Sequence, residues 1–240
     1  MQDDRERMTA THCEPLADDA LLLHFGAGTP PIDPAANARV HRAVARIRAA
    51  GLPWLRDLVP AFASLAVFFD PDAIDADAAR RRLDVLLDSA TMADEDGAPA
   101  PCIEIPVVYG GSFGEDLDAA AAALGLTPDA LVARHSAAIY TVAMIGFAPG
   151  FPYLSGLDPA LALPRLPTPR TRVPAGSVAI GGAQTGIYPH ESPGGWRLLG
   201  RTPLRLFDPT RATPSLLAPG DRVRFRPIPA EDFDGADAWA

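Results

Sequence analysis

The 240-residue chain contains no lysine; all 21 of its basic residues are arginine. A Walker A phosphate loop, a pyridoxal Schiff base and a lysine-borne biotin each need an amine that only lysine supplies, so none of them is built here. Cysteine is nearly missing too. Cys13 and Cys102 stand far apart and neither belongs to a C-x-x-C pair, so two unpaired thiols in a reducing compartment are expected. No run approaches the ~18 apolar residues of a membrane span. The start, MQDDRERMTATHCEPL, lacks the apolar core of a signal peptide, and the expected address is the cytoplasm. His12, His24, His41, His135 and His190 show no paired spacing, and Asp94-Glu95-Asp96 lacks the glycine and distal glutamate of a calcium loop. No metal site is expected.

Net charge is −9, which argues against nucleic-acid binding as the main task. The charge is uneven. Residues 146–228 hold ten arginines against only Asp158, Glu191, Asp208 and Asp221, so a cationic region sits within an acidic chain. Guanidinium matches carboxylate or phosphate with two parallel hydrogen bonds, and such a region suits a small anion.

The most specific stretch runs from Gly146 to Pro209. It is rich in proline and glycine, yet Phe147, Phe151, Tyr153, Ile180, Ile187, Tyr188, Trp196 and Leu198 recur between the turn residues. That is the pattern of short strands joined by tight turns, not of a linker. Ser192-Pro-Gly-Gly-Trp196 is its sharpest element. Gly194 and Gly195 permit close approach of a ligand to main-chain N–H groups, and Trp196 supplies an apolar wall; a tight turn anchored by a core tryptophan is the alternative reading. Gln184 and Tyr188 add neutral hydrogen-bonding groups just upstream.

Upstream, Ala20 to Phe25 reads as a buried strand. Asp33-Pro34 gives an N-cap and first-turn proline for a helix to Ala50, stopped by Gly51. Ser64 to Phe69 is a second strand, and Asp75 opens a second helix to about Ala90, with Arg80-Arg81-Arg82 on its solvated face. Strand, helix, strand, helix makes a small α/β layer. The unpatterned acidic stretch Thr91 to Pro101 separates two domains, at 14–97 and 98–229. The second begins with a strand over Cys102 to Tyr109. Helices over Gly114 to Leu124 and Thr127 to about Arg134 follow, then a strand to Ile145, and Val223 to Phe225 closes the sheet.

Gly110-Gly-Ser112-Phe-Gly114 fits the G-x-S-x-G pattern, with Asp158 and His190 later in the order a hydrolase triad requires. Only about three strands precede the serine, too few for the sheet that carries such an elbow, and the motif is short. His135 ends a helix just before the strand that delivers Gly146. A histidine there either caps helix carbonyls or points into a site as acid or base.

GFAPGFPYLSGLD, the paired Pro164-Arg165 and Pro169-Arg170, VPAGSVAIGG, QTGIYP, SPGGW and GRTPLRLFDP resemble the signature blocks of the KipI family, which includes the B-type subunit of 5-oxoprolinase (PxpB) and is also called allophanate hydrolase subunit 1. The likeness continues through DDALLLHFG, SLAVFFDP, IPVVYGG, LVARHSAAIYTV and LLAPGDRVRFRPI, nearly the whole chain. It implies an α+β fold, a small N-terminal α/β domain followed by a cyclophilin-like β-barrel domain. A shared barrel is not a shared site, so no prolyl isomerase activity follows. The resemblance also implies a KipA-type partner, the C-type subunit of a heteromeric complex, and an A-type protein needed for activity. This chain and its KipA-type partner resemble the paired parts of a urea carboxylase carboxyltransferase region.

The activity so implied is ATP-dependent hydrolysis of the cyclic amide 5-oxo-L-proline to L-glutamate. ATP would be consumed by the assembled complex and not bound by this chain alone. On that reading Arg165, Arg170 or Arg201 holds the substrate carboxylate, and Gln184, Tyr188, Ser192, Gly194, Gly195 and Trp196 complete the binding site. His135 moves a proton. Ser112 departs from the family, where an acidic residue is common after YGG, which weighs against a serine nucleophile. The same resemblance offers two alternatives, a KipI-like inhibitor of a sensor histidine kinase and a component of a urea- or allophanate-handling amide hydrolase.

Overall fold

In the computed structural model, which describes residues 12–26, 33–88 and 102–233, the chain divides into two units, Met1–Pro99 and Ala100–Ala240. The domain boundary expected at residue 97 and the run Asp94-Glu95-Asp96 lie outside the described residues, as does the expected end of the second helix.

The first unit contains β1 (His12–Ala17), β2 (Ala20–His24), α1 (Pro34–Ala49), β3 (Leu55–Pro60), β4 (Ser64–Phe69) and α2 (Ala76–Asp88). Its sheet is antiparallel in the order β1-β2-β4-β3. The two central strands are largely buried and appear in the sequence as apolar runs. Strand β1 buries only Cys13 and β3 only Leu58 and Pro60, so neither edge carries the apolar signal that reveals a strand. Helix α1 turns Val40, Val44 and Ile47 onto the sheet's core. Arg80, Arg81 and Arg82 on α2 are exposed. The Asp33 carboxylate accepts a 2.9 Å hydrogen bond from the Ala35 N–H, with proline in the first turn, and Gly51 leaves the helix at φ 56°. Asp33→Ala should therefore cost about 1 kcal/mol, read as a lower urea midpoint at unchanged m-value. An unmoved midpoint would mean that water caps the helix as well as Asp33 does.

The second unit contains β5 (Cys102–Tyr109), α3 (Leu117–Ala123), α4 (Pro128–Ala137), β6 (Tyr140–Ile145), β7 (Pro152–Ser155), β8 (Arg170–Val173), β9 (Ser177–Gly181), β10 (Gln184–Ile187), β11 (Ser192–Gly194), β12 (Arg197–Arg201) and β13 (Arg222–Pro227). Seven strands close into a barrel in the order β10-β7-β6-β13-β5-β12-β9, and β8 pairs with β11 as a separate ribbon. Closure leaves these short strands without free edges. The one parallel contact among the described residues, β13 with β5, joins strands far apart in sequence. The class is α+β with a closed barrel, as the resemblance implies. Thr127 caps α4 through the Ala130 N–H at 3.2 Å, and α4 carries His135 into the barrel.

Candidate functional site

Strand β10 divides the expected site into two faces. His135 touches Thr185 on β10, Phe225 on β13 and Tyr109 on β5, and its own carbonyl accepts from the Tyr140 hydroxyl at the start of β6. Strand β10 is not a neighbour of β13 or β5 around the barrel, so one side chain reaches all three only from the inside. Thr185 therefore points inward. Because strand side chains alternate, Gln184 and Gly186 point outward.

Inside, the hydrogen-bond directions are determined by the hydroxyls. Thr185 donates to the Ala179 carbonyl at 3.0 Å, so it accepts from His135 Nε2–H at 3.0 Å. The Tyr109 hydroxyl then donates to Nδ1 at 2.8 Å. The imidazole is 0% exposed and stacks on Phe225 with ring centroids 4.7 Å apart. Burial alone pulls its pKa down to about 3, and burial pushes the Tyr109 phenol well up. His135 is thus a neutral, doubly bonded core histidine, with neither ring nitrogen left for a substrate.

Outside, Trp196 lies against Gly181 and Gly186, where a methyl group on either glycine would run into the indole. Phe151, Tyr153 and Tyr188 join it in a set of ring contacts with centroid separations of 4.9–5.8 Å, mostly edge to face. Together with Val173, Ala179 and Leu198 these rings form a small apolar cluster separate from the barrel core. Gly194 approaches the Tyr188 hydroxyl so closely that no Cβ fits. A backbone hydrogen bond from Trp196 meets the Tyr188 oxygen, but burial is the stronger influence and raises the phenol. Phe147, 63% exposed and held at φ 66°, stands edge-on to Phe151 and Tyr188.

Arginines border this cluster. The loop before β8 is pinned by Leu166 N–H to Gly195 O at 2.7 Å and by Arg197 Nε to Pro164 O at 3.0 Å. That places the Arg165 guanidinium 5.8 Å from the Trp196 ring centroid. Arg170, opposite Gly194 in the β8–β11 ribbon, donates from Nη2 to Asp116 Oδ1 at 2.7 Å. The other oxygen of Asp116 accepts the Leu198 N–H at 2.7 Å. The hydrogen bond to Asp116 raises the Arg170 pKa. Three buried polar atoms in this region have no hydrogen-bond partner among the described residues: Arg170 Nη1, Gln184 Nε2 and Ser192 Oγ. Such atoms cost free energy unless a ligand or water meets them.

The structure therefore groups Arg165, Arg170, Gln184, Tyr188, Ser192, Gly194, Gly195 and Trp196 on the outer side of the barrel wall and leaves His135 within it. Arg201 sits at the other end of β12, donating to Ala175 O at 2.6 Å with its guanidinium over Phe233. Ser112 is in an exposed turn, Asp158 caps a 3-10 turn through the Ala160 N–H, and His190 is exposed; no hydrogen bond joins any two of them. Sequence reading missed Asp116, Thr185 and Tyr109. Asp116 alone had a local signal, a carboxylate at the start of a helix after a glycine turn. Among the described residues no group of three or more His, Cys, Asp or Glu side chains is arranged to hold a metal ion, and no helix is long and apolar enough to cross a membrane.

A barrel preceded in the chain by an α/β unit, with an arginine-bordered aromatic face, agrees with sequence comparison. The chain belongs to the family described as carboxyltransferase domain, subdomain C and D, whose profile matches residues 11–217. Within it, the chain is similar to the B-type subunits of 5-oxoprolinase. It is 41% identical to that of Bacillus subtilis over 228 residues, covering 92% of this chain and 94% of the relative. It is 41% identical to that of Escherichia coli O157:H7 over 221 residues, covering 92% and 97%. Among solved structures, TTHA0988 is 43% identical with a TM-score of 0.74 over 88% of this chain, which spans only 40% of that longer chain. The K. lactis urea amidolyase, 21% identical with a TM-score of 0.72 over 93% of this chain and 15% of its own, shares the fold.

Proposed function

We propose that this protein is the B-type component of an ATP-dependent 5-oxoprolinase, which hydrolyses 5-oxo-L-proline to L-glutamate together with a KipA-like C-type partner and an A-type protein, in the cytoplasm. The observation that supports the reading is on the outer face, where Arg170 Nη1, Gln184 Nε2 and Ser192 Oγ are buried without a partner among the described residues, Gln184 on the strand whose Gly186 Trp196 covers and Ser192 opposite Val173 of the aromatic cluster. A five-membered lactam acid presents a carboxylate, an amide N–H and C=O, and a flat apolar ring. Guanidinium suits the first, amide and hydroxyl groups the second, and an indole face the third. In hydrolysis water adds at the lactam carbonyl carbon, the ring C–N bond breaks, and the nitrogen takes a proton. Negative charge that grows on the carbonyl oxygen would be met by the Gln184 amide or by main-chain N–H groups at Gly194 and Gly195.

Among the described residues the glycine turn Gly110–Gly114 does not fit a nucleotide's phosphates. The chain has no lysine, and this turn leads only to the seven-residue helix α3, with the Asp116 carboxylate standing at its start, where a phosphate would be repelled. We therefore assign ATP to the assembled complex and route no step through it here. His135 we assign to positioning, since from inside the barrel it fastens the strand that carries Gln184.

The lone chain should release no glutamate from 5-oxoproline with ATP, and activity should arise on adding the C-type and A-type proteins. Full turnover by the isolated chain would overturn the division of labour. Turnover of urea or allophanate by the assembled proteins in place of 5-oxoproline would overturn the substrate.

A further inference from the structure

Arg201 was expected beside Arg165 and Arg170, yet it belongs to a different cavity. This one has a volume of about 290 Å³ and is lined by Arg201 and Arg205, by Gly176 of the turn before β9, and by Pro189, Leu204 and Phe233 among its apolar residues; among the described residues none that lines it is acidic. We propose that it is a second binding site, for a small organic anion with a carboxylate or phosphomonoester head and a short carbon skeleton.

Three observations lead there. Arg201 is pre-positioned, because its Nε donates to the Ala175 carbonyl and its guanidinium lies 5.5 Å from the Phe233 ring centroid. A fork held in this way loses little side-chain entropy on binding. No ion pair engages Arg201 among the described residues, while Arg205 donates to Asp208 at 3.3 Å and is 68% exposed. Two guanidiniums lining a concavity with no carboxylate among its described lining residues attract an anion, and the remaining Nη groups of Arg201 match two oxygens of one head group. Finally, Pro189, Leu204 and Phe233 offer apolar surface for a few carbons, and the volume lies at the small end of ligand sites.

The site adjoins the lactam cradle without being part of it. The Gly176 N–H donates to the Tyr188 carbonyl at 2.7 Å, so the cavity wall holds the backbone of a residue whose side chain belongs to the aromatic cluster around Trp196. An occupant here would stiffen the turn on which Tyr188 is carried.

Calorimetric titration of the full chain tests this with three probes, succinate, glycerol 3-phosphate and neutral succinamide. Saturable one-site binding of at least one anion and none of succinamide is expected, and the tighter anion identifies the head group. Arg201→Gln should weaken that binding about tenfold or more, Arg205→Gln should weaken it several-fold, and Arg165→Gln should leave it unchanged. The proposal falls if neither anion saturates, if succinamide binds equally well, or if Arg165→Gln abolishes binding. Unaltered affinity in Arg201→Gln overturns it as well. Should Arg201→Gln fail to fold, the Arg205→Gln affinity decides in its place. These readouts do not depend on lactam hydrolysis, so failure here leaves the proposed function standing, and the reverse.

Discussion

Replacing Arg170 by glutamine in the reconstituted enzyme is expected to lower kcat/KM for 5-oxoproline by roughly 100-fold, mainly through KM. A charge-assisted hydrogen bond from a partly buried guanidinium to a carboxylate contributes about 2–3 kcal/mol, and each ~1.4 kcal/mol is a factor of ten. The effect should fall on KM because the substrate carboxylate has the same charge in the ground and transition states. Asp116→Asn separates contact from positioning. The asparagine oxygen can still accept the Leu198 N–H at the same place, but the ion pair that orients Arg170 is lost. KM should then rise by less than in Arg170→Gln, with the protein still folded. If Arg170→Gln leaves KM unchanged, Arg170 does not touch the substrate and its unpartnered Nη1 has another explanation.

His135→Leu is expected to destabilise the second unit by about 2–4 kcal/mol, because the Tyr109 hydroxyl loses its acceptor and the buried Thr185 its donor. For a chain of this size that is on the order of 10 °C in Tm. The pH dependence provides a second, independent signature. The ordinary imidazole value of 6.5 applies to the unfolded chain, whereas burial holds the folded group down to about 3. Between those values the unfolded state binds a proton that the folded state refuses. The contribution of His135 is therefore complete above pH 6.5 and declines as pH falls toward 3, by at most about 1.4 kcal/mol per pH unit. Carboxylates such as Glu191, lowered by its hydrogen bond to Arg172, add their own loss at still lower pH. The difference between parent and His135→Leu isolates the imidazole, and the two unfolding curves should converge as the pH drops from 7 to 4.5. An unchanged Tm with a collapsed kcat would instead make His135 a participant in the chemistry.

What could be read from the sequence follows from which interactions are local. Asp33-Pro34, Thr127-Pro128 and Gly51 declare helix ends because a cap bonds residues two or three positions away. Strands β2 and β4 declare themselves because they lie in the middle of the sheet, are largely buried and form apolar runs. Strands β1 and β3 do not, since an edge strand of this sheet buries one or two residues and most of its remaining side chains are polar or exposed. The glycine spacing around Trp196 was visible, and so was the cationic character of residues 146–228.

The division of the Gly146–Pro209 stretch between two faces of a barrel wall was not local. Gln184 and Thr185 are adjacent in the chain yet point to opposite sides, one toward the outer face and the other to His135. Nothing in the order Gln-Thr-Gly-Ile says which parity faces inward. That is decided when β10 closes the barrel between β7 and β9, which puts Thr185 within reach of α4. The same closure brings Asp116, 54 residues away, to Arg170 and sends Arg201 to a cavity of its own. The sequence by itself determined the residue types available, namely arginines without lysines, a glycine-flanked tryptophan and a lone helix-end histidine. Tertiary structure alone decided which of these meet, because a barrel joins strands by register and closure, and neither is encoded within any single strand.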